Sequence, residues 1–384
     1  MQLIRLAQLL AAASIAAAQA PATSPWQMQV SGTTAGLRGI DSVDGTVAWA
    51  SGTGGTVLKT TDGGAHWTKC AVPDAAKDGA TLDFRGVQAW DAKTAIVMSS
   101  GKGKLSRLYK TKDGCKPWKL IFKNPDKDGF WDTLKFDKEG IWYSPNYYRG
   151  QSGSLLGDPI KGMFSLFYSD DAGKSWVRQW NKGLRVKSGT QSVFAASNSS
   201  LTMIGEFDFG SGGSGGTFMY SISGYHICID DCSPEEMNLD GRRNQWVHKR
   251  VPLGDSTDSS GVFSVANRQT SPYSPIGTQI LVIVGGDYTK PNESKNTAAY
   301  RLQSEGPWTA STTPPHGFRS AVQWSEALKL WITVGTNGSD ISRDDGKTWQ
   351  PLDDGNWNAL SLPFVVGPNG RIARLNPTAL PTGK

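Results

Sequence analysis

The sequence predicts an all-β protein, a seven-bladed β-propeller, and three observations predict it. A box of eight residues recurs with fixed internal spacing, Gly-rich turns separate short apolar stretches along the whole chain, and one alternating segment near the N-terminus has no partner of its own. The box reads TTDGGAHW from Thr60, TKDGCKPW from Thr111, SDDAGKSW from Ser169 and SRDDGKTW from Ser342. Each copy carries Ser or Thr, an Asp two residues on, and a Trp five residues after the Asp. The glycine two residues after the Asp is present as Gly64, Gly173 and Gly346 and is replaced by Cys115 in the second copy. A repeat at roughly 50-residue intervals decides the architecture before any local reading does.

The chemistry of the box suits a strand–turn–strand corner. Aspartate bonds backbone amides across a turn, glycine supplies a positive φ, and tryptophan covers the turn with apolar area. Asp62, Asp113, Asp171 and Asp344 are therefore read as structural. The last interval is about three times the others, which leaves room for two blades with decayed boxes. These end near SEGPW (304–308) and RRNQW (242–246).

A second recurrence, LRGI (37–40), FRGV (84–87) and FRSAV (318–322), marks the start of an inner strand, followed by a second strand and a Gly turn. Inner strands are expected near 37, 84, 130, 190, 261, 317 and 357, which makes seven blades. The last has no fourth strand of its own. WQMQV (26–30) alternates as a strand does and would complete it, leaving no open sheet edge. Residues 21–384 then form one domain.

Residues 1–20 combine a basic residue, an apolar stretch and Ala18-Gln19-Ala20, a small-x-small cleavage pattern. They are read as a signal peptide, with export to the periplasm or beyond. Nothing later resembles a membrane span. The net charge of +6 comes without a polybasic run, which argues against nucleic acid as a partner. The four cysteines agree with an oxidising compartment. Cys228 and Cys232 are close enough in CIDDC to pair. Cys70 and Cys115 fall near opposite ends of neighbouring outer strands, so no bridge between them is expected. No Cys/His spacing resembles a zinc site, and no cofactor motif is found. GSGGSGG (210–216) lacks the strand–turn–helix setting of a nucleotide site and reads as a flexible loop. Asn198, Asn292 and Asn337 lie in N-x-S/T sequons. A monomer is expected.

Inner strands begin at the mouth of the central channel that also carries the second-to-third strand loops, so the boxes lie on the opposite face and chemistry belongs at this rim. Equivalent positions here read Arg38, Arg85, Trp131, Phe263, Arg319 and Asn358. Arg319, Asn358, Arg38 and Arg85 would form a cationic arc facing an aromatic side, suited to a carboxylate, phosphate or sulfate. The alternative is that each arginine braces neighbouring blades. Long rim loops add Tyr147, Tyr148, Arg149, Asp158, Glu206, Asp208, Asp287 and Tyr288, and His316 is the best-placed acid–base residue. For each of these the alternative is an ordinary solvated loop residue.

The stretches LRGI…GTGGTVLKTTDGGAHW, GDPIKGMFSLFYSDDAGKSW, VGGDY, GFRSAV…VGTNGSD and NALSLPFVVGPNGRIARL resemble the photosystem II stability/assembly-factor family of Asp-box (BNR) propellers over the whole chain, closest to its exported, non-photosynthetic bacterial branch. The resemblance implies a seven-bladed fold and a role in binding protein during assembly through an arginine patch, which Arg38, Arg85 and Arg319 match. A carbohydrate-active enzyme on acidic sugars is the alternative. A sialidase-like hydrolase would use the three arginines with Tyr288, Glu206 and Asp287, and a lyase would use His316 with a Tyr. The sialidase pattern Arg-Ile-Pro is absent, however, and sialidases have six blades.

Overall fold

The computed structural model describes residues 24–72, 78, 81–138, 151–187, 189–203, 207–223, 245–270, 279–303 and 306–382. Its strands form seven four-stranded antiparallel sheets, and helix among these residues is confined to three short 3-10 turns and residue 78. Six sheets are consecutive in the chain. Their inner strands are Leu37–Ser42, Phe84–Ala89, Trp131–Phe136, Leu201–Thr202, Ser260–Gln269 and Ala321–Ser325, and their outer strands are Thr68–Cys70, Trp118–Lys123, Val177–Gln179, Gln245–Arg250, Thr309–Ala310 and Gln350–Asp353. The seventh runs from Ala359–Ser361 outward to Ile372–Leu375, and its fourth strand is Trp26–Met28, paired as Trp26↔Leu375 and Met28↔Ala373.

Strands buried on both faces explain why the middle strands read as continuous apolar runs rather than alternating ones. Ala48–Gly52 and Ala95–Ser99 are buried at every position. Each blade pairs one face with the next blade. Trp49, Phe84, Tyr109 and Trp118 fill the gap between blades one and two, and Leu37, Leu58, Phe364 and Ile372 the gap between seven and one. Trp26 packs on Trp357 at 6.0 Å, which ties the N-terminal strand into the core between blades six and seven.

The boxes are turns between third and fourth strands, and three of them share one network. The Ser/Thr hydroxyl donates to the Asp Oδ1 and accepts from the glycine N–H, while the Asp Oδ1 accepts a backbone N–H four residues on. These bonds run from Thr60 to Asp62 (2.8 Å), from Gly64 to Thr60 (2.9 Å) and from His66 to Asp62 (3.0 Å), with the same set around Asp171 and Asp344. This explains why hydroxyl, carboxylate and glycine recur at fixed spacing. With Cys115 in place of the glycine, the Asp113 carboxylate makes none of these bonds among the described residues. Trp246 and Trp308 stand in and just before the outer strands of blades four and five, where the decayed boxes were placed. Residues 242–244 of RRNQW, and residues 304 and 305 of SEGPW, lie outside the described residues.

Two sequence expectations need correction. Cys70 and Cys115 form a disulfide, with Cα atoms 4.9 Å apart. The outer strand of blade one is only three residues long, so Cys70 is still close to the box face, and Cys115 sits in the box of the next blade. They meet at the same end of neighbouring blades, not at opposite ends. The second correction is the inner strand of blade four, which begins at Leu201 and not near residue 190. Cys228 and Cys232 lie outside the described residues, as does the segment 1–20.

Candidate binding site at the channel mouth

The second-to-third strand turn of blade one lies beside the start of its inner strand, since Thr53 N–H donates to Gly36 O (3.0 Å). The box lies at the other end, where Gly63 N–H donates to Thr46 O (2.9 Å). The inner strands therefore open on the loop-bearing face, opposite the boxes.

In four blades the inner strand slips register at its start, between Leu37 and Gly39, Phe84 and Gly86, Trp131 and Thr133, and Val262 and Ser264. The residue left without a cross-strand partner is Arg38, Arg85, Asp132 or Phe263. Such a bulge turns one side chain away from the sheet faces, here toward the mouth. The residue before it points between blades, and Leu37, Phe84, Trp131 and Val262 are all fully buried. Trp131 is thus core and not rim: it stacks on Phe122 at 5.2 Å. Its neighbour Asp132 takes the position equivalent to Arg38.

Arg319 is displaced by the same single residue. Its N–H bonds Gly285 O as Leu37 N–H bonds Gly367 O and Trp357 N–H bonds Gly335 O, so Ser320 and Asn358 are the mouth residues of blades six and seven. The Arg319 guanidinium is fully buried. It donates to Asp340 Oδ2 (2.6 Å), Phe318 O (2.6 Å) and Asn337 Oδ1 (2.5 Å), so it braces the fold and faces no ligand. His316 belongs to the same knot, with Nδ1 2.8 Å from Asp340 Oδ1 and Nε2 2.9 Å from Asn337 O. Its bond to Asp340 raises its pKa, although burial opposes this.

Blade four replaces the bulge with a loop. Ser192 still bridges Gly212, and Gly210 N–H donates to Ser200 O, so residues 193–199 leave the ladder between them. They enter the channel and touch four other blades. Asn198 Oδ1 accepts Leu134 N–H (2.7 Å) and its Nδ2 donates to Val87 O (3.4 Å), Ser197 Oγ donates to Ser320 O (2.6 Å), and Ser199 Oγ to Ser264 Oγ (2.7 Å). Ala195 O accepts Arg85 Nη1 (3.3 Å). Gly86 has no room for a side chain, because a Cβ there would stand 2.8 Å from Asn198 Oδ1. Asn198, read as a sequon, is a buried plug residue.

Above this plug the mouth has two sides. On one, Arg85 Nε pairs with Asp83 Oδ2 at 2.7 Å. Arg38, half-buried, has no hydrogen-bond or ion-pair partner among the described residues, and its Nε is shut off from solvent. Burial, then the charge of Arg85, holds its pKa down, with Asp83 opposing. Asp132 is 2% exposed with Oδ2 unpartnered. Burial and then the nearby Asp158 push its pKa well above the usual carboxylate range. Burial also raises Asp158 to about 6, against a bond from Val193 N–H. On the other side Phe263 stacks on the plug residue Phe194 at 4.0 Å, with the half-exposed Tyr288 ring at 6.1 Å.

Asn358 spends its side-chain N–H on Leu37 O (2.8 Å). Asp287 is buried and held near a pKa of 2, where burial is outweighed by hydroxyl bonds from Thr289, Ser259 and Thr257. It is a fixed anion, unsuited to proton transfer at neutral pH. Asp208 is buried in its sheet 3.8 Å from Arg301. Glu206, Tyr147, Tyr148 and Arg149 lie outside the described residues. Sequence reasoning missed Asp132, yet the signal was present: Leu-Arg-Gly, Phe-Arg-Gly and Trp-Asp-Thr align when the apolar residue leads. Among the described residues no group of three or more His, Cys, Asp and Glu is placed to hold a metal, and no helix is long and apolar enough to cross a membrane.

No protein-family model and no curated protein matches the sequence. Solved structures do match. "YCF48 bound to D1 peptide" shares 16% identity at a TM-score of 0.51, covering 92% of this chain and 97% of its own. "YCF48 from Cyanidioschyzon merolae" shares 18% at 0.55, covering 92% and 100%. At these identities the likeness is one of fold: the chain has the seven-bladed β-propeller architecture of YCF48.

Proposed function

We propose that this protein is an exported binding module of the assembly-factor kind, which receives an anionic group of a protein partner at the channel mouth. Arg38 is the anchor and Arg85 stands beside it. The observation that carries this reading is the half-buried Arg38 guanidinium with no partner among the described residues. Burying a charge without a partner is costly, and a guanidinium fork matches a carboxylate with two parallel bonds. Across the mouth the half-buried Phe194 and the half-exposed Tyr288 offer apolar area to the rest of the ligand. A neighbour of this fold is described as bound to a peptide, which supports a protein partner here. Export is supported by the signal-like segment 1–20 and by the Cys70–Cys115 disulfide. The reading as an enzyme on acidic sugars draws no support from Arg319, Asp287 or His316, each committed to internal bonds.

Photo-crosslinking tests the proposal. A benzophenone amino acid replaces Tyr288 at the mouth in one variant and the exposed Lys347 on the box face in another. We expect a discrete protein adduct from position 288 alone, abolished by Arg38→Gln. Adducts from position 347 alone would place the partner on the wrong face and sink the proposal.

A further inference from the structure

Among the described residues Trp180 is the only exposed tryptophan, with 70% of its surface open. It follows the outer strand of blade three, Val177–Gln179, and is held out from the core rather than folded onto it. The Arg178 guanidinium lies between the Phe167 ring at 4.3 Å and the Trp180 ring at 5.1 Å. That guanidinium is itself pinned, by an ion pair with Asp126 in the loop after the outer strand of blade two, and by a bond to Ser165 Oγ (3.1 Å). Apolar area continues onto blade two. The half-buried Trp176 and Phe122 rings stack with centroids 6.1 Å apart, and Leu120 and Val177 are exposed on the same two outer strands.

Lysines border this surface. Lys112 and Lys116 come from the box of blade two, Lys174 from the box of blade three, and Lys119 from the outer strand of blade two, opposite Lys110. These four are exposed, and none has an ion-pair partner among the described residues. They stand close together: burial, then the charges of Lys112 and Lys174, holds the pKa of Lys110 down, with Asp171 opposing. With Lys110 they outnumber the carboxylates of the two boxes, Asp113, Asp170 and Asp171, while Asp126 and Arg178 cancel.

A protruding indole beside cations that lack counter-ions suits an anionic lipid surface. We propose that the outer rim of blades two and three docks on an anionic membrane surface, with Trp180 in the interfacial layer and the lysines against the lipid phosphates. An indole fits that layer because its body is apolar and its N–H stays wet. Lysine stems lie along apolar surface while the ammonium reaches outward. Lysine is depleted from protein–protein interfaces, which favours lipid over an acidic protein as the occupant. No helix among the described residues is long and apolar enough to cross a membrane, so the contact is peripheral. The channel mouth, on the face opposite the boxes, stays open to a partner.

Sedimentation with vesicles of phosphatidylcholine, alone and mixed with phosphatidylglycerol, tests the proposal at low and at physiological salt. The protein is the chain from residue 21, which keeps every described residue and omits the apolar segment 1–20. We expect binding to the mixed vesicles alone, weakened by salt. It should fall about tenfold in Trp180→Ser and about tenfold or more in Lys112→Gln/Lys174→Gln. Both variants change exposed residues, so their unfolding midpoints should match the wild type. Soluble glycerol phosphate should not release the protein, because an extended surface holds it and not one headgroup. Equal binding to both vesicle types, no binding to either, release by glycerol phosphate, or unchanged affinity in Trp180→Ser would each overturn the proposal. Capture of acidic peptides that is lost in Trp180→Ser, without vesicle binding, would also overturn it and make the occupant a protein. Arg38→Gln should bind vesicles as the wild type does, so this surface and the mouth stand or fall separately.

Discussion

The three arginines that look alike in the sequence should behave differently when removed. Arg319 and Asp340 are both fully buried, and the guanidinium also bonds Phe318 O and Asn337 Oδ1. Arg319→Met keeps most of the volume and deletes the cation, leaving Asp340 as a buried carboxylate with only His316 for support. Breaking a buried pair in this way costs about 3–5 kcal/mol. For a chain of this length, that corresponds to a drop of about 4–8 °C in Tm. Arg38→Met removes a guanidinium that has no partner among the described residues and is repelled by Arg85, so its stability should change by less than about 0.5 kcal/mol. Urea unfolding of both variants, monitored by tryptophan fluorescence, reads the difference. The His316 ring reports independently by NMR: the Arg319 charge holds its pKa down, so the pKa should rise further in Arg319→Met. Equal, small losses in the two variants would refute the assignment of Arg319 as a brace.

Three further outcomes follow from the geometry. Asp158 holds its proton up to about pH 6 in the folded state against 3.8 for the free group, so the folded chain binds more protons between those values and stability falls as pH rises through that window. The fall is about 2–3 kcal/mol and persists at pH 7; Asp158→Asn should remove that slope from urea midpoints measured at pH 4 and pH 7, and an unchanged slope would show that Asp158 is not the group. Asn198→Ala leaves Leu134 N–H unbonded in the core and puts alanine at φ +61°, for a loss of about 2–4 kcal/mol, whereas Asn198→Gly should lose about 1 kcal/mol less; identical losses would mean that the left-handed backbone is not held by the plug. The Cys70→Ser/Cys115→Ser double variant opens a loop with a sequence separation of 45 and should lose about 3–4 kcal/mol, matched by thermal unfolding of the wild type in reductant.

Blade count, the inner-strand pattern and the turn role of three box aspartates were legible because each rests on a short, repeated constraint. The hydroxyl, carboxylate and glycine of the box are bound to one another within five residues, so their spacing survives in the sequence. The mouth was legible to within one residue. The spacing puts Arg38, Arg85, Phe263 and Asn358 at the same register position of their inner strands as the structure does, whereas at Trp131 and Arg319 it falls one position early. In a strand, one residue decides between mouth and core, and a bulge shifts that register without leaving a composition signal. The plug was not legible. Its residues FAASNSS carry no periodicity, and their bonds reach Val87, Leu134, Ser264 and Ser320, contacts that only the closed ring creates. The Cys70–Cys115 bridge depended on strand length, which a turn pattern does not reveal.

The most direct measurement is the affinity of wild type and Arg38→Gln for an array of glutamate- and aspartate-bearing peptides, at low and at physiological salt, with matched unfolding midpoints as the control. We expect salt-sensitive binding by the wild type, weakened about tenfold or more in Arg38→Gln at unchanged stability. Binding that ignores both the substitution and the salt would contradict an anion-receiving mouth.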